Sequence, residues 1–107
     1  MAKQFDVYRN PSAKTRAQWP YYIIIQNDYF AELTTRLIAP LVSQQDLPLT
    51  QNRISPQICV NGERFSIRVP SVTFLDARKI RREDYVCSLE SARAGVIAAL
   101  DAIITNV

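Results

Sequence analysis

Pro20-Tyr21-Tyr22-Ile23-Ile24-Ile25-Gln26-Asn27-Asp28 is the stretch that decides the fold. Aromatic and β-branched residues in an unbroken row, closed by an Asn-Asp turn signal, form a strand. Such side chains lose rotamer freedom against a helical turn and pack well on a pleated sheet. From Tyr21 to Ile25 no charged residue interrupts the run, so this strand is predicted to be buried on both faces. The run is far too short to cross a bilayer, which takes about 20 apolar residues.

Working outward, Phe5-Asp6-Val7-Tyr8 alternates apolar and polar and predicts a second strand with Phe5 and Val7 inward. Between the two lies a polar loop from Arg9 to Pro20, with Pro11 near its start. On the other side, Tyr29 to Leu33 reads as a short turn or helical piece. Thr35 to Val42 follows as a strand whose pairing is limited at Pro40, and Ser43 to Ser55, which contains Pro48, as a second long loop. Gln57-Ile58-Cys59-Val60 and Glu63-Arg64-Phe65-Ser66-Ile67 flank Asn61-Gly62. Asn-Gly accepts the positive φ angles of a type I′ turn, whose twist matches the strands it joins, so this is a hairpin. Val72 to Ile80 is predicted as a further strand, with charge taking over after Leu75.

The tail reads as a helix. Ser88 is the expected N-cap, and Leu89, Ala92, Val96, Leu100 and Ile103 recur at spacings of three and four, the expected inward stripe. Gly95 in its middle costs roughly 1 kcal/mol relative to alanine, which marks a close approach to a neighbour. The whole chain is expected to be one domain, residues 1–107, mainly β with a C-terminal α-helix.

Composition excludes more than it assigns. There is no histidine, which removes Ser-His and Cys-His pairs and most zinc sites. Cys59 and Cys87 lack metal-ligand spacing and are expected as free thiols packed in a reduced interior. Carboxylates stand singly, as at Asp6, Asp28, Glu32, Asp46, Asp76 and Asp101, and no glycine-rich phosphate loop is present. No metal, no cofactor and no enzymatic activity are therefore expected. The formal charge is only +3, but Lys14 and Arg16 share a loop and Arg78, Lys79, Arg81 and Arg82 form a second cluster. That cluster reads as a solvated basic face, or as one that meets nucleic acid or an acidic partner segment. The N-terminus has no apolar signal core, so a cytoplasmic protein is expected. A small chain with so apolar a strand as Tyr21–Ile25 is also expected to use a partner surface, most simply as a homodimer.

Gln4-Phe5-Asp6-Val7-Tyr8, then Pro20 to Asp28, then Thr35-Arg36-Leu37-Ile38-Ala39-Pro40-Leu41 resemble, in order and spacing, the start of the CcdB toxin family. The likeness continues at Pro56 and Phe65 and again at Ala98-Ala99-Leu100-Asp101-Ala102-Ile103-Ile104. It implies a small SH3-like barrel with a C-terminal helix, acting as a homodimer in the bacterial cytoplasm. Such a toxin is made with an unstable antitoxin and traps DNA gyrase in its cleaved-DNA state by wedging between the two A subunits. Operator DNA is reached only through the antitoxin, and no membrane is involved.

Carried onto this sequence, the gyrase-binding surface falls on Asp101, Ile104, Thr105, Asn106 and Val107, with Asn27, Tyr29 and Phe30 from the turn. Antitoxin contact falls on Arg9, Asn10, Pro11 and Ser12 and on Ser43, Gln44, Gln45, Asp46 and Leu47; Lys14 and Arg16 are placed to meet an acidic segment there. Two departures stand out. The family ends in Trp-Gly-Ile or Thr-Gly-Ile where this chain has Thr105-Asn106-Val107, and Asp101 replaces a usual asparagine. Leu75-Asp76 stands where the family has an apolar residue followed by proline. Three readings stay open: a gyrase-directed toxin; a divergent member that keeps dimer and antitoxin binding with a weak or changed target; and a ribonuclease toxin of a related barrel.

Overall fold

In the computed structural model, which describes residues 2–43 and 53–105, the Tyr21–Ile25 run lies at the centre of a seven-stranded antiparallel sheet. The strands are β1 (Asp6–Arg9), β2 (Tyr21–Ile24), β3 (Thr35–Ser43), β4 (Gln57–Val60), β5 (Glu63–Ile67), β6 (Thr73–Asp76) and β7 (Tyr85–Ser88), followed by the helix α1 (Arg93–Thr105). They pair in the order β4-β5-β3-β2-β1-β7. The nine-residue β3 is the hub. Along one edge it pairs β2 from Ile38 to Leu41; along the other it pairs β6 through Thr35–Ile38 and β5 through Leu41–Ser43. The result is a half-barrel with α1 laid against one face.

Both faces of β2 are covered, as its sequence predicts. Ile23 and Ile25 join Val7, Leu41, Ile67 and Val69 in a core closed by Val96 and Ala99 of α1 and by Ala92 just before it. Tyr22 and Ile24 point the other way, into a second core with Tyr8 and Ile38, which Trp19, Leu75 and Ile80 cover. Burial of each such side chain stabilises the fold by about 1.5–3 kcal/mol. The strand is therefore consumed inside the chain, and any partner surface must lie elsewhere than on Tyr21–Ile25.

The hairpin forms as read: Val60 pairs Glu63 across Asn61 (φ 52°) and Gly62 (φ 82°), both in the left-handed region. Pro40 sits opposite Tyr22, and its carbonyl still accepts from Arg68 N at 2.8 Å. Gly95 explains itself: a Cβ there would lie 3.2 Å from Pro56 Cβ, so the helix and the segment before β4 touch at that point.

Several expectations are corrected. Phe5 is not a strand residue; its φ of 68° is left-handed, and it is pinned by Phe5 N donating to Ile24 O and Leu89 N donating to Phe5 O. Its side chain is buried as expected, but so are those of Asp6 and Tyr8, because β1 is covered on both faces. The strand expected over 72–80 ends at Asp76, whose carboxylate accepts from Arg78 N and caps a 3-10 turn, Ala77–Lys79. Tyr85–Ser88 is a strand the sequence did not announce, because the charged run before it hides a four-residue edge strand. Ser88 accordingly pairs Asp6 in β7 and does not cap the helix, which is entered through a 3-10 turn at Glu90–Ala92. The inward stripe of α1 is Val96, Ala99 and Ala102, with Leu100 half-buried and Ile103 exposed. Ile97 and Ile104, seven residues apart, share the side of the helix opposite that stripe. Cys59 is exposed, not interior; Cys87 is half-buried, where burial and then the nearby Asp6 push its thiol pKa up.

Candidate functional site

The end of α1 combines an apolar surface with few polar groups. Thirteen residues, Arg-Ala-Gly-Val-Ile-Ala-Ala-Leu-Asp-Ala-Ile-Ile-Thr, leave only Arg93, Asp101 and Thr105 as polar side chains. The inner face takes Val96, Ala99 and Ala102, and Ile103, on the same side near the helix end, is 44% exposed; the outer face carries Ile97 and Ile104, the last 77% exposed. A helix apolar around its circumference belongs between two surfaces, and here one of them is solvent.

Asp101 and Thr105 share a face one turn apart and line a shallow hollow with Ala98 and Arg53. The Thr105 hydroxyl donates to Asp101 O at 2.6 Å, so it is turned back onto its own helix. Asn106 and Val107 lie outside the described residues.

The turn residues form a second exposed feature. Asn27 caps the 3-10 turn Asp28–Phe30 by accepting from Tyr29 N at 2.8 Å. Gln26 Nε2 donates to Phe30 O at 2.9 Å, and the Arg36 guanidinium donates to the carbonyls of Leu33 and Ala31. This bracing holds Tyr29 outward at 85% exposure, its ring edge-on to Phe30 with centroids 5.1 Å apart. Exposed aromatics on a rigid support are the side chains that anchor protein interfaces. The turn is tied to the start of α1, not to its end: Gln4 N donates to Asp28 at 2.7 Å, and Arg93 donates to Gln4 Oε1 at 3.2 Å. Arg93 and Thr105 are roughly 18 Å apart at 1.5 Å rise per residue. Within one chain, the two parts of the implied gyrase surface are therefore anchored at opposite ends of the helix.

The loop from Asn10 to Pro20 is built around Asn10. This side chain is 1% exposed; its Nδ2 donates to Thr15 Oγ1 and Trp19 O, and its Oδ1 accepts from Ser12 N. Asn10 thus shapes the loop from inside and offers no side-chain surface to a partner, a correction to its expected role. Arg16 stays exposed while bracing the loop, with Nε donating to Asn10 O at 3.1 Å and Nη2 to Pro11 O at 3.3 Å. Arg9, Ser12 and Lys14 are exposed. A groove on one side of the loop brings Ala17, Gln18 and Pro20 to Val42 and Ser43 at the end of β3 and to Arg68. Gln44, Gln45, Asp46 and Leu47 lie outside the described residues.

Sequence reading missed a groove on the loop's other side, where Pro11 and Trp19 face Leu75, Arg78, Lys79 and Arg81. A lone tryptophan in a polar loop was the available signal. Asp76, at the position of the family's proline, is engaged by Arg78 through two bonds of 3.2 and 2.8 Å from the guanidinium. These bonds, with the one from Arg78 N, lower its carboxyl pKa to about 2. Beneath Trp19, burial and then Asp84 raise the Tyr22 hydroxyl far above the usual phenol range. Among the described residues no three His, Cys, Asp or Glu side chains gather as a metal site, and no helix is long and apolar enough to cross a membrane. Asp6 binds Lys3 N and Asp28 binds Gln4 N, so these carboxylates serve as structural braces.

An antiparallel half-barrel with one C-terminal helix and an apolar, outward-facing helix end defines a small interaction protein. The chain matches the family model described as CcdB protein over residues 4–106 and belongs to that family. At the level of the family it is a toxin of a toxin–antitoxin pair. None of the curated proteins compared with the chain matches it significantly.

Proposed function

We propose that the chain is a gyrase-directed toxin that holds the cleaved-DNA state through the end of α1, acts as a homodimer in the cytoplasm, and is neutralised by a cognate antitoxin. The observation that carries this reading is the end of α1, where Ile97 and Ile104 are exposed on the outward face and Ile103 at the tip of the inner stripe, on a helix with almost no polar side chain. Such a face favours burial against another protein surface. Tyr29 and Phe30 supply a second anchor. The antitoxin binds along the groove between the Asn10–Pro20 loop and Ser43 at the end of β3, and the exposed Arg9, Ser12, Lys14 and Arg16 are available to its acidic side chains. Reaction chemistry plays no part in this reading, since the carboxylates brace the backbone.

A second reading, weakened action on gyrase, is favoured by the inward-turned Thr105 hydroxyl. Thr105 also lacks the flat ring that stacks on an arginine in family members ending in Trp-Gly-Ile. Loss of roughly 1–2 kcal/mol of such stacking corresponds to about five- to thirty-fold weaker binding. The test is a gyrase supercoiling and cleavage assay run beside an RNA cleavage assay. The intact protein is expected to stabilise cleaved DNA and leave RNA whole. Deletion of residues 105–107 is expected to abolish the effect, and Thr105→Trp with Asn106→Gly to strengthen it. RNA cleavage, or full gyrase poisoning by the deletion variant, overturns the proposal.

A further inference from the structure

We infer that the hollow lined by β1, β7 and residues 2–3 binds a small zwitterion, an α-amino acid with an apolar side chain. It lies on the face of the sheet away from α1 and shares no residue with the surfaces assigned to gyrase and antitoxin.

The hollow encloses about 610 Å³, within the range of small-molecule sites. Two neighbouring rungs of one strand pair build it, Asp6 opposite Ser88 and Tyr8 opposite Tyr85. Asp6 and Tyr8, two residues apart on β1, point to the same face. The Tyr8 ring packs edge-on to Tyr85 with centroids 5.6 Å apart. Ala2 and Ile80 supply apolar wall, and Lys3, Arg82 and Glu90 bring charge.

Two polar side chains here are buried with bonding capacity left over. Asp6 is 7% exposed; its Oδ2 accepts from Lys3 N at 2.9 Å, and among the described residues nothing donates to Oδ1. Tyr8 is 4% exposed, and its hydroxyl has no hydrogen-bond partner among the described residues. Buried polar groups are nearly always satisfied, so an open carboxylate oxygen and an open phenol in one hollow point to a ligand that supplies both partners. Burial, and then the charges of Asp6 and Tyr85, push the Tyr8 pKa up against the opposing pull of Arg82. The phenol therefore keeps its proton at neutral pH and serves as a donor.

The charges select the ligand. Arg82, Glu90 and the Lys3 ammonium make no ion pair or side-chain hydrogen bond among the described residues. A lone anion in the hollow meets Asp6 and Glu90; a lone cation meets Arg82 and Lys3. A zwitterion satisfies both signs. Asp6 and Tyr8 stand roughly 7 Å apart along the strand, about the span of an α-amino acid's ammonium and carboxylate with a hydrogen bond at each end. The ammonium donates to Asp6 Oδ1. The carboxylate accepts from the Tyr8 hydroxyl and from Arg82, and the apolar side chain lies against Ile80 and Tyr85.

The experiment titrates the full chain with L-leucine and, separately, L-phenylalanine, read by thermal unfolding and by amide NMR. Parallel arms use 4-methylpentanoate, which lacks the ammonium, isopentylamine, which lacks the carboxylate, and inorganic phosphate. Leucine is expected to raise the melting temperature saturably, by about 5 °C at ten times its Kd. The amide signals of Asp6, Tyr8, Tyr85 and Ser88 are expected to move with it, and each single-charge analogue to bind about tenfold more weakly or worse. Arg82→Gln, at an exposed position, is expected to keep the parent's circular dichroism spectrum and weaken leucine by about tenfold. Tyr8→Phe is expected to weaken it by about fivefold. Asp6→Asn is expected to erase the preference for leucine over 4-methylpentanoate. No saturable response to either amino acid up to roughly 10 mM, a generous limit for a ligand of this size, overturns the inference. So do NMR shifts confined to other residues, equal or tighter binding of phosphate or a single-charge analogue, or parent-like affinity in Arg82→Gln.

Discussion

β2 and α1 are the two most apolar segments of the molecule, and they meet opposite fates. β2 is covered on both sides: Ile23 by the core under the helix, Tyr22 and Ile24 by the loop carrying Trp19. α1 is covered on one side only, by Val96, Ala99 and Ala102, while Ile97 and Ile104 face out and Ile103 is exposed near the helix end. Apolar sequence states a demand for burial; it does not say whether the same chain meets it. Where the chain does, the residues hold the fold. Where it does not, they are free to hold a partner.

This contrast can be broken by substitution. The largest effect is expected in β2. Ile23→Ala deletes a fully buried side chain against Val7, Ala39 and the helix, and should cost about 2–5 kcal/mol in chemical denaturation. A loss below about 1 kcal/mol would mean that the central strand is not the keystone of the sheet.

A smaller effect is expected at the seam between helix and sheet. Gly95→Val places a branched side chain where even a Cβ meets Pro56 at 3.2 Å, and should destabilise by about 1–3 kcal/mol through overpacking. Gly95→Ala gains helix propensity of roughly 1 kcal/mol against that same contact and should stay near the parent. If valine is tolerated like alanine, the helix does not sit as close as this geometry requires.

The smallest effect on stability, and the largest on binding, is expected on the outer face. Ile97→Ser with Ile104→Ser should move the unfolding free energy by less than about 0.5 kcal/mol per site. The same pair should weaken target binding or self-association at least tenfold, read by gyrase pull-down and by light scattering. A stable, fully binding double variant would show that the outer face is merely exposed.

The legible parts of the molecule were those where one residue type has one use. Asn61-Gly62 announced its turn through the two positive φ angles it needs, and Gly95 announced a close approach that Pro56 supplies. Tyr21–Ile25 announced a strand with no wet face. Tyr85–Ser88 stayed hidden because a short edge strand beside a charged run has no pattern of its own; it exists because β1 offers it a partner. In the candidate site, the helix end was legible by family resemblance, and the outward isoleucines were not. Of the expected stripe, Ala92 and Val96 are buried and Leu89 and Leu100 pack against the core, joined by Ala99 and Ala102, while Ile103 is exposed. Asn10 was read as a contact residue because it stands in the right loop, yet its three side-chain bonds make it the loop's internal frame.

By itself the sequence determined the central strands, the hairpin with its tight turn and the C-terminal helix, and that the chain belongs among CcdB proteins. Those are local or pattern properties, set by side-chain shape, backbone freedom and periodicity. Only the tertiary structure decided which apolar faces remain uncovered, and that Trp19, Leu75 and three cations from distant positions share one groove. The reason is physical: burial is a property of pairs of surfaces, and a side chain is inside or outside only once its neighbour has arrived.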